Sequence, residues 1–276
     1  LIPGLLVPEH PSTGGTDLGS FWSRRARRLV PGALVALTLT AVLAWVMEWI
    51  VASSRADFLS STFWVANWRF IFADRSYGEL FTNPSPVQHF WSLAVEEQFY
   101  LVFPLVLVVA SRWGRTGIRR ALLAMAGLSV VWAALADMTF DRAYYGTDVR
   151  AAEFAIGGLL APALWRDDQP GLLRPHPRTA RAVEVAGALA LALGAWAWWR
   201  IGPDVWWAHE GGLAVYALVV TVPVVLEWPL LVGPPPRLLA LGPLIWLGTI
   251  SYGLYLYHWP IFLLLTPERT GLDGWA

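Results

Sequence analysis

Runs of about twenty mostly apolar residues recur along this chain, and each is long enough to cross a bilayer as a helix. They fall at roughly 31–51, 89–110, 121–137, 148–165, 183–200, 211–231 and 243–265, and residues 1–8 read as the end of a further span. In lipid every backbone polar group must be satisfied within the protein, so such a pattern leaves few folds open. The expected architecture is all-α, a polytopic membrane helix bundle with no separate soluble domain. Composition agrees: 56% of the residues are hydrophobic and 14% charged, against roughly 25% charged in a soluble domain. The eighteen Trp suit a chain with many membrane–water interfaces.

Charge then sets the orientation. The basic segments are 24–28, 112–120, 166–181 and Arg237, and basic loops stay on the cytoplasmic side. They share one side only if the apolar stretch 58–72, which carries Asn67 and Arg69, does not cross. Residues 52–88 are therefore expected to form one outer segment that re-enters the bilayer or lies in its interface, shielded from lipid by protein. The chain is placed in the cell membrane, multi-pass, with Arg24–Arg28 cytoplasmic and membrane lipid as its surroundings. All its basic residues are Arg, and the formal net charge is zero, so global charge gives no reason to expect nucleic acid. Without Cys there is no disulfide or thiol nucleophile, and no spacing makes a zinc site, a P-loop or a dinucleotide fingerprint. No metal is expected.

Four motifs interrupt the apolar pattern. The first is Phe21-Trp22-Ser23-Arg24-Arg25-Ala26-Arg27-Arg28. It reads as a topology anchor or as a site for a phosphorylated donor: Arg25 and Arg28 are three apart and share a helix face, as do Arg24 and Arg27. The second runs from His89 through Ser92, Glu96 and Glu97 to Tyr100. Carboxylates inside a span are costly and are functional candidates by default. Helical spacing puts His89, Ser92, Glu96 and Tyr100 on one face and Glu97 off it. The alternative is a buried network that satisfies its own hydrogen bonds. The third is Ser251, Tyr255 and His258 at i, i+4 and i+7, with His258 and Glu96 expected at similar depth in an outward-facing cavity. The fourth holds Arg150 and Glu153, which can pair locally, and Gly157-Gly158, which permits close helix packing. His10, His176 and His209 lie in expected loops and carry no argument.

In this order the motifs resemble the membrane acyltransferase-3 family. The matching segments are FWSRRARRLVP, SPVQHFWSLAVEEQFYLVFPL at 85–105, YYGTDVRAAEFAIGGLLA at 144–161 and WLGTISYGLYLYHWPI at 246–261. The resemblance implies a ten-helix core, of which about eight spans fall in this sequence, and a re-entrant loop corresponding to 52–88. The chain starts at Leu1 without an initiator Met and stops at Ala276 just after a span. It is thus expected to be a fragment lacking the first and last core helices, and with the first an arginine and a catalytic histidine. On that expectation the fragment alone is inactive, and an upstream Arg followed about eleven residues later by His would complete the site. The resemblance further implies transfer of an acyl group, often acetyl, from cytoplasmic acyl-CoA to a hydroxyl of an extracytoplasmic glycan or lipid-linked acceptor. Arg25 and Arg28 match the family's inner-face arginine pair, which implies binding of the CoA phosphates, with Arg24 and Arg27 beside them. Glu96, Glu97 and His258 are the catalytic candidates, with Glu96 or His258 expected to orient or deprotonate the acceptor. His89, Ser92, Tyr100, Arg150, Glu153, Ser251 and Tyr255 are substrate-binding or structural candidates. A transporter or flippase without covalent chemistry is the rival reading, since membrane carboxylates and a membrane His also suit proton coupling. A non-catalytic scaffold would leave the arginines, Glu96 and Glu97 without a purpose.

Overall fold

A computed structural model describes residues 17–47, 54–73, 84–163 and 241–265, with isolated helical positions between 185 and 199. Every regular element among the described residues is a helix, as the apolar pattern predicts. The expected spans at 211–231 and in 1–8, most of 183–200, and the basic segments 166–181 and Arg237 lie outside the described residues. So do His10, His176 and His209. The chain divides into two compact units, one of residues 17–101 and 242–276, the other of 1–16 and 102–241.

The first unit is built on α1 (Leu18–Val46), α2 (Ser54–Thr62), α3 (Ala66–Phe72), the first half of α4 (Phe90–Ser111) and α8 (Gly242–Leu264). Asp17 caps α1 by accepting the Ser20 amide at 3.0 Å, as short acidic side chains do at helix starts. The Ser20 hydroxyl and amide hold the exposed Asp17 carboxyl below its usual range. Because the helix begins at this cap, Arg24–Arg28 lie within it rather than in a loop at its mouth. Gly32 lets α8 approach α1: a Cβ there would stand 3.3 Å from the Tyr252 ring. α2 and α3 are joined by a turn in which Trp64 has φ 57°, a strained value for a bulky residue. The Arg69 guanidinium stands 3.6 Å from the fully buried Asp57 carboxylate and ties α3 back to α2.

The second unit is built on the rest of α4 together with α5 (Gly114–Leu135), α6 (Phe140–Tyr145) and α7 (Thr147–Ala163). Gly114 takes φ 63° in the turn between α4 and α5, a conformation for which Gly carries no steric penalty. α5 thus starts before the apolar run at 121–137 and includes Arg115, Arg119 and Arg120 in its first turns. Ser129 joins α5 to α7: its hydroxyl oxygen lies 2.7 Å from the Asp148 and Val149 carbonyls and 3.1 Å from the Ala152 amide. Gly158 of α7 has its Cβ position 2.9 Å from the Phe103 ring, whereas Gly157 has nothing within 4 Å. Only one glycine of the pair makes the close contact expected of both. Of the described helices, α1, α4 and α5 are long and apolar enough to cross a membrane. α8, with 23 residues, spans about 34 Å at 1.5 Å per residue and is richer in Tyr and Trp.

Candidate functional site

Proline places the first helix contacts. Pro104 inside α4 has no N–H, so the carbonyl four residues earlier, on Tyr100, loses its helical donor. The Trp22 indole of α1 supplies one, donating to that carbonyl at 2.9 Å. Pro260 inside α8 leaves the Leu256 carbonyl in the same position, and His89 answers it with Nε2 at 3.1 Å. Each proline thus creates an acceptor that a side chain from another helix or its lead-in turn fills. Unpaired carbonyls in an apolar interior are costly, so these two bonds fix α1 against α4 and α4 against α8.

Around the first of them stands an arginine tier. Arg25, one turn along α1 from Trp22, reaches Glu97 at 3.5 Å, and its guanidinium carbon lies 2.8 Å from the Tyr100 ring centroid. Such stacking adds a cation–π attraction to the ion pair. Tyr252 of α8 donates to the Leu29 carbonyl of α1 at 2.9 Å. From the next position of α4, Gln98 donates to the Trp64 carbonyl at 2.8 Å and to Asn67 Oδ1 at 2.9 Å. It also accepts from the Trp68 indole at 3.1 Å. The strained turn between α2 and α3 is therefore anchored eight residues into α4, about 12 Å from its start.

A histidine tier surrounds the second. His89 is buried, and its ring lies 5.3 Å from that of His258 and 5.8 Å from that of Tyr255. Tyr255 donates to the His89 carbonyl at 2.8 Å, and its hydroxyl shares a short hydrogen bond with Ser92. His258 donates from Nδ1 to the Tyr255 carbonyl at 2.6 Å. Trp259 ties the segment before α4 to α8 by donating to the Ser85 carbonyl at 2.9 Å. Glu97 is eight residues beyond His89, which ends the turn leading into α4, so the tiers are about 12 Å apart at the helical rise.

Several expected groupings come out differently. Glu97 rather than Glu96 meets Arg25, and Glu96 is exposed. Glu97 and Tyr100 differ by only 60° around the helix, within reach of a long arginine side chain. Glu96, expected at the depth of His258, adjoins Glu97 of the arginine tier and lies about 10 Å along the chain direction of α4 from His89, so that carboxylate is not level with the histidine pair. Arg24, Arg27 and Arg28 are exposed, with Arg27 turned back onto the Ser23 hydroxyl at 2.8 Å. Arg25 alone of the four turns toward α4. Ser251 is also exposed and bonds its own helix at Gly248, leaving Tyr255 and His258 to face His89. Arg150 forms a two-toothed pair with Glu153 at 3.0 and 3.1 Å and donates to the Tyr144 carbonyl at 3.1 Å. That is the local ion pair. Trp22, Gln98 and Tyr252 were not singled out by their sequence. The signal for Trp22 was a proline four residues after Tyr100, which needs knowledge of the neighbouring helix to use. Among the described residues no three His, Cys, Asp or Glu side chains cluster closely enough to hold a metal ion.

A helical unit with an arginine–carboxylate pair between α1 and α4 and a histidine pair between the start of α4 and α8 fits the expected class, and sequence comparison establishes the family. The acyltransferase-3 family, described as an acyltransferase domain, matches residues 1–273, and the chain belongs to that family. The peptidoglycan O-acetyltransferase OatA of Listeria monocytogenes is 32% identical over 97% of this chain and 43% of its own length. YrhL of Bacillus subtilis is 34% identical over 98% of this chain and 43% of its own. The O-acetyltransferase OatA of Staphylococcus aureus is 30% identical over 96% and 44%. The chain thus spans under half the length of the curated relatives it matches. No solved structure matches it.

Proposed function

We propose that the full-length protein is an integral-membrane O-acetyltransferase that moves an acetyl group from cytoplasmic acetyl-CoA to a hydroxyl of an extracytoplasmic glycan, peptidoglycan by analogy with its relatives. The observation that carries this reading is the Arg25–Glu97–Tyr100 cluster between α1 and α4, in the same unit as the His89–His258 pair between the lead-in turn of α4 and α8. A polypeptide that only anchored itself would not turn one arginine of four onto a carboxylate within a span.

In this scheme the arginines hold the donor. Arg24, Arg27 and Arg28 are exposed and offer planar forks suited to phosphate oxygens. Arg25, restrained by Glu97 and Tyr100, marks where that surface turns into the bundle. The acyl carbon accepts the attacking hydroxyl oxygen, its bond to the CoA sulfur breaks, and the hydroxyl proton passes to a base. His258 and Glu97 are the groups proposed to orient or deprotonate the acceptor, with Glu96 on the exposed flank of α4. Residues 52–88 are proposed to be a re-entrant segment, a reading supported by the Gln98 anchor of its turn. Membrane insertion with Arg24–Arg28 cytoplasmic puts the donor surface on the side where acyl-CoA is made.

The test is acetyl transfer by full-length protein in vesicles given labelled acetyl-CoA. Arg25→Ala and Arg28→Ala are each expected to remove transfer while leaving insertion intact. Loss of one charge-assisted hydrogen bond of about 1.5–3 kcal/mol corresponds to roughly 10–150-fold in apparent donor affinity. Full activity in both variants would remove the donor role. Movement of unlabelled glycan without covalent label would favour a flippase.

A further inference from the structure

Pro260 does more than interrupt the hydrogen-bond ladder of α8. Because it cannot donate to the Leu256 carbonyl, that carbonyl takes its proton from His89 Nε2 at 3.1 Å, and a carbonyl only accepts. Neutral His89 therefore carries its proton on Nε2 and presents Nδ1 as a bare acceptor. This Nδ1 is buried and has no hydrogen-bond partner among the described residues, and His89 is only 6% exposed. The same argument fixes His258: its Nδ1 lies 2.6 Å from the Tyr255 carbonyl, so Nε2 is its acceptor. The two rings are 5.3 Å apart, nearly perpendicular at 76°. Ser92 and Tyr255 share one short hydrogen bond, and Tyr255 is committed to the His89 carbonyl. Two acceptor imidazoles thus have ring centres 5.3 Å apart, and among the described residues no hydroxyl or amide is assigned to His89 Nδ1. A buried acceptor left in that state is costly, and buried polar atoms without partners call for an explanation.

We propose that His89 and His258 form a two-nitrogen acceptor subsite for a hydroxyl of the sugar acceptor, with His89 Nδ1 as a substrate-contacting position and Pro260 as the residue that locks its tautomer. The inference rests on the acetyltransferase reading and adds the group that receives the acceptor. The substrate O–H donates to the imidazole lone pair, which orients its oxygen for attack. No bond is made or broken by His89 itself. The ligand class is a polyol, which brings donors that an apolar lipid chain lacks.

A substitution at His89 alone would mix two effects, since it also strands the Leu256 carbonyl. Pro260→Ala separates them by returning an amide donor to that carbonyl. In the Pro260→Ala background, His89→Gln and His89→Ala should leave the thermal midpoint of the full-length protein within about 2 °C of the background. Both should still raise the KM for a soluble peptidoglycan fragment at least tenfold. The KM for acetyl-CoA should stay unchanged. His89→Asn, whose Oδ1 stands near the place of Nδ1, should recover part of the acceptor KM, which a purely structural role would not allow. Unchanged acceptor KM in Pro260→Ala/His89→Gln overturns the subsite while wild-type transfer still stands. Absence of transfer in the wild type would instead remove the acetyltransferase reading. A loss of donor KM equal to that of acceptor KM would assign His89 to the fold rather than the substrate.

Discussion

In the unit of residues 17–101 and 242–276, polar side chains join helices far apart in sequence: 30 residues for Trp68 and Gln98, 72 for Arg25 and Glu97, and 223 for Tyr252 and Leu29. Among the described residues of the other unit, 102–163, the bonds between helices span 6 residues for Arg142–Asp148 and 23 for Ser129 and Ala152. Both units hold charge in an apolar chain, but they use it differently. The second closes a helix–turn–helix corner with neighbours, which a simple local cap achieves. The first brings together groups whose meeting depends on the whole arrangement of helices. A feature that requires three separate helices to coincide is harder to explain as local stabilisation, and it is where the chemistry is proposed.

That contrast is broken most directly by removing one carboxylate from each unit. Glu97→Ala is expected to lower acetyl transfer on the order of 10²-fold, the low end of what a positioned acid or base supplies, with membrane insertion retained. Asp148→Ala loses the two-toothed Arg142 pair and the Trp132 indole at 2.8 Å. With side chains 23% and 38% exposed, that pair is worth about 1 kcal/mol at most. Its loss should appear in the thermal midpoint and leave transfer per folded molecule within about twofold. Equal losses of transfer in the two variants would erase the distinction.

A smaller effect sharpens the account of how the first unit is held. Trp22→Phe keeps the ring and removes the donor to the Tyr100 carbonyl, so the orphan left by Pro104 returns. Hydrogen bonds between membrane helices average below 1 kcal/mol, and a destabilisation of that order is expected. Adding Pro104→Ala should recover it, because the helix then supplies its own amide. A double-mutant cycle on thermal midpoints checks this. Strict additivity of the two changes would mean that the indole and the proline are unrelated.

How much of this was readable beforehand follows from the range of each interaction. The helical class, the position of α4, α7 and α8 to within a residue or two, and the Arg150–Glu153 pair rest on spacing along one helix, which a sequence displays. The start of α1 was missed because Asp17 and Ser20 form a cap in a segment with no apolar run to announce it. The choice of Glu97 over Glu96 depends on where α1 lies around α4. The partners of the Tyr100 and Leu256 carbonyls depend on which foreign helix offers a donor. Proline announces that a carbonyl will be orphaned, four residues back, but not who will answer it.

The least costly test concerns the corner of the second unit, where Gly157 and Gly158 look equivalent in sequence. A Cβ at 158 would stand 2.9 Å from the Phe103 ring and 3.4 Å from Leu122, while one at 157 meets nothing within 4 Å. Gly158→Ala should therefore force the ring aside and cost about 1–3 kcal/mol. Gly157→Ala should be neutral, or stabilising by roughly 0.5–1 kcal/mol through the helix preference for Ala. Opposite signs in the two thermal midpoints would show that local geometry governs this corner. The same sign in both would mean that helix propensity, not the α4–α7 contact, sets its stability, and the contrast between a locally built unit and a distantly linked one would lose its local half.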